Sequence, residues 1–178
     1  LTFNENILEL NFAQEGAEIA PYVNPLSDIS FNLNTIYDLS YLEFITIDNN
    51  INGTLSDLAK LKQLYVIQID KGSNNIVGNL SDISGLHKLF SLSFFENTSI
   101  SGSLSNLSEL PLTIIDFHNA SNITGNLKDI SDIGGQLEHI FLSSSSLDGS
   151  CQDISNFLTT LDTNSCKLRV KDYSNCIN

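Results

Sequence analysis

The chain repeats one short motif at nearly constant spacing, and this repeat limits the possible folds more than any other feature. The motif reads INGTLSDL at 51–58 and returns as IVGNLSDI, ISGSLSNL and ITGNLKDI, with a degraded fifth copy LDGSCQDI. A unit of this size cannot bury its own apolar side chains, so neighbouring units have to stack into a solenoid. The glycines of the five copies are Gly53, Gly78, Gly102, Gly125 and Gly149, in steps of 25, 24, 23 and 24 residues.

A second pattern, leucine-x-x-apolar-x-apolar, lies between the glycine motifs. It reads LEFITI at 42–47, LYVIQI at 64–69, LFSLSF at 89–94, LTIIDF at 112–117 and LEHIFL at 137–142. The alternation of apolar and variable positions predicts a half-buried strand. Stacking of the copies would then place like side chains in buried columns. One column holds Ile51, Ile76, Ile100, Ile123 and Leu147, and another holds Leu55, Leu80, Leu104 and Leu127.

These residues resemble the leucine-rich repeat (LRR) family. Leu89-x-x-Leu92-x-Phe94-x-x-Asn97, followed by Ile100-x-Gly102-x-Leu104, is similar to the plant-type repeat of roughly 24 residues. The resemblance implies an α/β solenoid, a right-handed horseshoe with a parallel β-sheet on its concave face. It also implies short 3-10 or helical turns on the convex side, and an extracellular, cell-surface or virion-surface setting like that of bacterial and phage surface proteins.

The two ends of the chain differ from the repeats. Leu8, Leu10 and Phe12 alternate with polar residues, which predicts an amphipathic strand that covers the first coil. A solenoid needs polar terminal units to stay soluble. The chain has no Met and begins at Leu1, so we expect a longer translation product. The predicted parts are an N-terminal cap at 1–28, an array of about five to six coils at 29–166, and a C-terminal cap at 167–178.

The net charge of the chain limits its partners. Eight Lys and Arg stand against 21 Asp and Glu, giving a formal net charge of −13. This balance argues against nucleic acid, whose phosphates need clustered cations, and against docking on anionic lipid. No apolar run approaches the roughly 18 residues needed to cross a bilayer, so we expect no membrane insertion. The acidic surface favours cationic partners.

An acidic position recurs within each glycine motif and has two interpretations. Ser or Asp of the recurring Ser-Asp dipeptide, as in Ser56-Asp57 and Ser81-Asp82, could cap the short helical turns by accepting backbone N–H groups. Alternatively, a ladder of carboxylates at the strand-stacking distance of about 5 Å could bind calcium. Asn106 and Lys128 interrupt the charge, so we favour capping and expect no metal site. The position holds Asp57, Asp82, Asn106, Asp129 and Asp153.

Signals for catalysis are weak. The chain contains no Gly-x-Ser-x-Gly, P-loop or Gly-x-Gly-x-x-Gly motif. His118 and His139 take positions four residues apart in their repeats, or about 13 Å, so they cannot form a dyad. We therefore expect no enzyme and no cofactor.

Three cysteines lie near the end of the chain and also have two interpretations. One disulfide could staple the C-terminal cap, since a frayed terminal coil gains most from a closed loop. Alternatively, all three could be free thiols that pack as small hydrophobes. Zinc is disfavoured because no close Cys pair or nearby His is present. The candidates are Cys151, Cys166 and Cys176, and their pairing cannot be deduced from sequence.

The outward strand positions form the candidate binding surface. They mix aromatic, apolar and acidic groups that have no core to enter, which is typical of an interface. The alternative is that neighbouring side chains only cover one another across strands. The candidate ligand-binding residues are Phe44, Tyr65, Val66, Gln68, Phe90, Ser91, Ser93, Ile114, Asp116, His139 and Phe141, with Phe95 and Glu138 as flanking positions.

Two functions from different classes fit this sequence. The first is a non-enzymatic recognition or adhesion module that binds a protein, peptide or glycan on the concave face. The second is a structural decoration or spacer element of a larger assembly, such as a virion or surface fibre. A monomer in solution favours the first, and self-association or co-purification with a particle favours the second.

Overall fold

Parallel strands in two sheets build the molecule. The computed structural model describes residues 9–11, 30–47, 51–70, 75–97, 99–133, 137–142 and 146–149. The strands of these residues form two six-stranded sheets. The first sheet has the order β1 (Glu9–Asn11), β3 (Phe44–Ile47), β5 (Val66–Ile69), β7 (Ser91–Phe94), β9 (Ile114–Asp116) and β11 (His139–Phe141). The second has the order β2 (Phe31–Asn32), β4 (Ile51–Thr54), β6 (Asn75–Asn79), β8 (Ile100–Ser103), β10 (Ile123–Asn126) and β12 (Ser146–Asp148).

Short helical turns follow the strands of the second sheet. Each turn starts at or soon after the last residue of its strand, so one coil contains a strand of each sheet and one turn. This arrangement is the α/β solenoid with short helical turns that the sequence predicted. The turns are α1 (Leu55–Leu58), α2 (Asp129–Asp132) and the 3-10 helices Leu33–Ile36, Leu80–Ile83 and Leu104–Leu107.

The second sheet was not predicted. Only one sheet was expected, because the glycine motif lacks the alternation that marks a strand. In β4, for example, Ile51 is buried and the next three residues are all half-buried. The backbone nevertheless pairs in parallel from β2 to β12. The strands β4, β6, β8 and β10 each bury one isoleucine in the core and pair with one another through their backbones.

The predicted buried columns are confirmed by burial of their side chains. The isoleucines from Ile51 to Ile123 and the leucines from Leu55 to Leu127 are fully buried, and Leu147 is partly buried against the core. The columns of the second sheet are staggered, since Gly53 pairs with Ile76 and Gly102 pairs with Ile123. The apolar residue of one coil therefore lies beside the glycine of the preceding coil.

This stagger explains why the motif needs glycine. Gly102 has φ +131°, a conformation that L side chains rarely adopt. A Cβ built there would lie 2.8 Å from the backbone nitrogen of Leu80 in the preceding coil. A Cβ at Gly53 would meet the Leu33 Cβ at 2.7 Å. Neighbouring coils approach so closely that no side chain fits between them.

The recurring acidic position supports the helical turns, as the capping interpretation expects. The backbone N–H of Thr54 donates to Asp57 Oδ2 at 2.9 Å, and the Asp57 N–H donates back to Thr54 Oγ1 at 3.3 Å. One detail of the prediction was wrong: the N-cap is the residue before the leucine, and the acidic residue closes the capping box from the third helical position. Equivalent bonds join the N–H of Asn79 to Asp82 (2.9 Å), of Ser103 to Asn106 (3.2 Å) and of Asn126 to Asp129 (2.9 Å).

The ends of the chain are described only in part. Strand β1 pairs with β3, with Glu9 opposite Phe44, so the expected N-terminal strand lies at the edge of the first sheet. Most of 1–28 and all of 150–178 lie outside the described residues. The division into caps and array therefore stays a prediction. Cys151, Cys166, Cys176 and Asp153 also lie outside the described residues.

We expect Gly102→Ala to lower the free energy of unfolding by about 2 kcal/mol or more, because the new methyl group is strained in φ and collides with backbone. Urea denaturation followed by circular dichroism measures the change. Gly85→Ala is the matched control, since its Cβ would meet only the flexible Lys62 ammonium at 3.4 Å. Equal destabilisation by both substitutions would show that the close approach of coils is unimportant.

Candidate ligand-binding groove

The register of the first sheet aligns the outward side chains of successive coils. At the strand positions between these outward side chains, Ile45, Ile67 and Leu92 point into the core and are fully buried. The outward side chains therefore form two rows that cross the strands. One row runs Phe44, Val66, Ser91, Ile114 and His139, and the other runs Thr46, Gln68, Ser93, Asp116 and Phe141.

A groove with a volume of about 850 Å³ lies on this face. Its floor is β7, where Ser91 and Ser93 are shorter than the side chains on β5 and β9. Larger residues on the flanking strands and at the strand ends form its walls. The groove is lined by Phe44, Tyr65, Val66, Gln68, Asp70, Phe90, Ser91, Ser93, Phe95, Ile114, Asp116 and Phe141.

The structure brings together ten of the eleven predicted site residues in this lining. His139 is the exception: it lies in the same row as Ile114 but does not line the groove. Asp70 lines the groove and was missed, because it follows the end of β5 and falls outside the strand alternation. Its place in the coil matches that of Phe95, the flanking position that the sequence did indicate. A binding role for these residues remains a prediction.

Aromatic rings form the wall at the start of the strands. Tyr65 and Phe90 are stacked, with centroids 4.8 Å apart and planes at 4°. Phe44 meets Tyr65 edge to face at 6.0 Å. The rings therefore cover one another in part, as the cross-strand alternative proposed. Tyr65 still keeps 40% of its surface exposed and Phe44 keeps 37%, so the wall remains open to a ligand.

The wall at the far end of the strands combines one aromatic stack with an acidic group. Phe95 stacks on His118 with centroids 5.0 Å apart and keeps 37% of its surface exposed. Gln68 Nε2 donates a hydrogen bond to Asp70 Oδ2 at 2.8 Å. This end of the groove therefore offers both an apolar face and a negative charge.

Asp116 is a half-buried carboxylate of the groove, as Asp70 is. Burial raises its pKa above the ordinary 3.8, against the opposing effects of the His118 backbone bond and charge. In that bond the His118 N–H donates to Asp116 Oδ1 at 3.0 Å. Burial dominates, so the charged form of Asp116 is less stable here than in water.

The described residues hold no group of three or more His, Cys, Asp or Glu that could bind a metal ion. His139 pairs in register with Ile114, and Ile114 lies four positions before His118 in the chain. The two histidines therefore occupy different rows. No helix in the described part of the chain is long and apolar enough to cross a membrane.

Comparison with known proteins establishes the fold. No family model matches the chain, and no curated protein matches its sequence. The LRR ectodomain of the Arabidopsis thaliana membrane receptor kinase GASSHO1/SCHENGEN3 is similar, with a TM-score of 0.59, 17% identity, and coverage of 93% of this chain and 19% of that one. The plant peptide hormone receptor RGFR1 is similar with a TM-score of 0.52, 20% identity, and coverage of 77% and 26%. The chain thus spans a minor part of both receptor chains and shares their LRR fold.

Substituting Tyr65 and Phe90 by alanine, singly and together, should reveal a coupling of about 0.5–1.5 kcal/mol in the free energy of unfolding, because the two rings stack. Urea denaturation of the four proteins provides the double-mutant cycle. Tyr65 and Phe95 are the control pair, since they lie on opposite walls and their losses should add. A Tyr65–Phe90 coupling no larger than that of the control pair would contradict the stacking.

Asp116→Asn should stabilise the protein at neutral pH. Because the folded pKa is raised, the unfolded chain releases this proton at lower pH than the folded chain. Stability therefore falls as pH rises from 3.8 to the raised value, and stays reduced above it. Asparagine keeps an oxygen for the His118 N–H and removes the charge. Urea denaturation at a series of pH values should show the advantage of the variant disappearing below pH 3.8. A variant less stable than the native chain at pH 7 would contradict this account.

Proposed function

We propose that this LRR solenoid is a non-enzymatic recognition module whose groove binds a protein, peptide or glycan. The observation that carries the proposal is the groove itself. Its volume of about 850 Å³ lies within the range typical of ligand sites. Its lining has the composition such sites share, with many apolar and aromatic groups and a few polar ones.

The exposure of the aromatic side chains supports binding over mutual covering. The inward positions of the first sheet are already filled, so Phe44, Tyr65 and Phe95 have no core to enter. Tyr65 contacts both Phe90 and Phe44 and still keeps 40% of its surface exposed. Aromatic residues are enriched at protein interfaces because they bury large areas at little cost in side-chain entropy.

The charge of the lining restricts the class of ligand. Among the described residues that line the groove, two are carboxylates, Asp70 and Asp116, and none is Lys or Arg. A phosphate backbone would be repelled, which supports a ligand other than nucleic acid.

The chemistry of the groove supports a role without catalysis. Activation of a serine nucleophile requires a general base within hydrogen-bond reach. Among the described residues, no side chain hydrogen-bonds to the hydroxyl of Ser91 or Ser93. Recognition is therefore the function that this lining supports best.

We infer an extracellular setting at a cell or virion surface, and a repeat of the 24-residue plant type. The glycine spacing supports the repeat type. The two receptors of similar fold support the setting: one is a membrane receptor ectodomain in complex with Casparian strip integrity factor 2, and the other is a hormone receptor in complex with RGF2.

Filling the groove tests the proposal. Ser93→Trp places a large ring on the floor of the groove, so it should weaken binding of any ligand selected on the native chain by about tenfold or more. The ligands are selected from a displayed peptide library and an oligosaccharide array, and affinity is measured by fluorescence polarisation. The matched control is Val77→Trp, at a position on the second sheet with 46% of its surface exposed.

Binding that survives Ser93→Trp, or falls equally in both variants, would contradict a role for the groove. Light scattering on the same samples addresses the structural alternative. Self-association of the native chain without ligand capture would favour a decoration or spacer element.

A further inference from the structure

Asp116 holds an unusual place within the groove. It lies in the row between Ser93 on β7 and Phe141 on β11. One neighbouring side chain is therefore short and the other is an aromatic ring. Its Oδ1 accepts the His118 N–H, and within the described residues no group hydrogen-bonds to Oδ2. The short side chain of Ser93 leaves space above the carboxylate. The N–H and charge of His118 compensate the Asp116 carboxylate only in part, since burial outweighs both in raising its pKa, and Oδ2 faces whatever enters the groove.

A cation is the group that this position lacks. A half-buried carboxylate loses hydration and recovers the loss only through charged or hydrogen-bonding partners. Burial already disfavours the charged form of Asp116, which raises its pKa. The described lining contains no Lys or Arg, and the whole chain carries a net charge of −13. Beyond the contribution of His118, a positive charge that compensates Asp116 more fully would have to come from the ligand.

The neighbour of Asp116 favours a guanidinium over an ammonium group. Phe141 is paired with Asp116 in register, at the strand spacing of about 4.8 Å. A planar guanidinium can donate to a carboxylate and lie against an aromatic ring at the same time. An ammonium group is more strongly hydrated and cannot form the paired, planar contact.

The aromatic wall sets a second contact at a defined distance. Phe90 and Tyr65 lie three strand positions before the row of Asp116, a distance of about 10 Å along the strands. Phe90 is one strand to the side of Asp116 and Tyr65 is two strands to the side, at about 4.8 Å per strand. The separation from Asp116 is therefore roughly 11 to 14 Å, or the length of three to four residues of extended chain. An apolar side chain at that distance from the cation would reach the stacked rings.

We propose that the groove binds an extended peptide segment, in which an arginine pairs with Asp116 against Phe141 and an apolar or aromatic side chain three to four residues away packs on Tyr65 and Phe90. This inference rests on the proposed function and specifies the ligand of the same groove. A neutral or acidic oligosaccharide could donate hydroxyl groups to Asp116, but it would add no positive charge beside the carboxylate. The charge of the groove thus favours a basic peptide over a glycan.

Selection from a displayed library of random ten-residue peptides, with the full chain as bait, tests the inference. The selected peptides should be enriched in arginine with an apolar or aromatic residue three or four positions away. A selected peptide, made synthetically with a fluorophore, should bind Asp116→Asn about tenfold more weakly than the native chain. Replacement of its arginine by citrulline should weaken binding to a similar degree, and replacement by lysine should weaken it less.

Asp132→Asn is the matched control. It removes the same charge from an exposed position on α2. If only the overall electrostatic field of the protein is altered, the affinity for the peptide should change less than about twofold. Thermal unfolding of both variants verifies that they are folded before binding is compared.

The outcomes separate this inference from the proposed function. Selected peptides without arginine, equal weakening by Asp116→Asn and Asp132→Asn, or capture of oligosaccharides alone would overturn the inference. If Ser93→Trp still blocks those ligands, the proposed function stands. Binding that persists in Ser93→Trp overturns both, and failure to select any peptide overturns the inference.

Discussion

Every feature of this molecule depends on burial of leucine and isoleucine side chains between neighbouring coils. A single coil cannot enclose them, so coils stack at strand spacing and the buried columns from Ile51 to Ile123 and from Leu55 to Leu127 exclude water. The stacking is close enough that Gly102 lies against the backbone of the preceding coil. The apolar columns and the glycines therefore depend on each other. Burial of the columns holds the coils together, and the glycines allow the coils to approach closely enough for that burial.

The same requirement leaves one surface free to vary. Inward positions of the first sheet are restricted to apolar residues, whereas outward positions do not have to fill the core. The groove arises from this freedom: β7 carries serines where β5 and β9 carry larger side chains, and rings stand at the strand ends. A depression in a repeat array thus needs no irregular backbone, only a change in side-chain size between coils. Specificity can then be altered without loss of the fold.

Acidic residues of this chain have different roles according to their position in the coil. Asp57 and Asp82 follow the second sheet and accept backbone N–H groups in capping boxes, so their negative charge stabilises the helical turns. Asp116 lies on the first sheet, where burial makes its charge costly. The charge costs stability in the free protein, and the proposed arginine would offset that cost on binding. The position of a carboxylate in the coil therefore decides whether its charge stabilises the fold or costs stability.

Local periodicity was enough to predict the solenoid, the buried columns and ten of the residues that line the groove, because burial in a repeat depends on spacing along the chain. The sequence also predicted the importance of the recurring acidic position, although it misplaced the N-cap by assigning it to the Ser or Asp of the dipeptide and not to Thr54 and its equivalents. Only the tertiary structure decided the second sheet, the pairing of Gly53 with Ile76, the stacking of Tyr65 on Phe90 and the places of Asp70 and His139. All of these depend on the register between coils, which arises from contacts between residues some two dozen positions apart and leaves no mark on the local pattern.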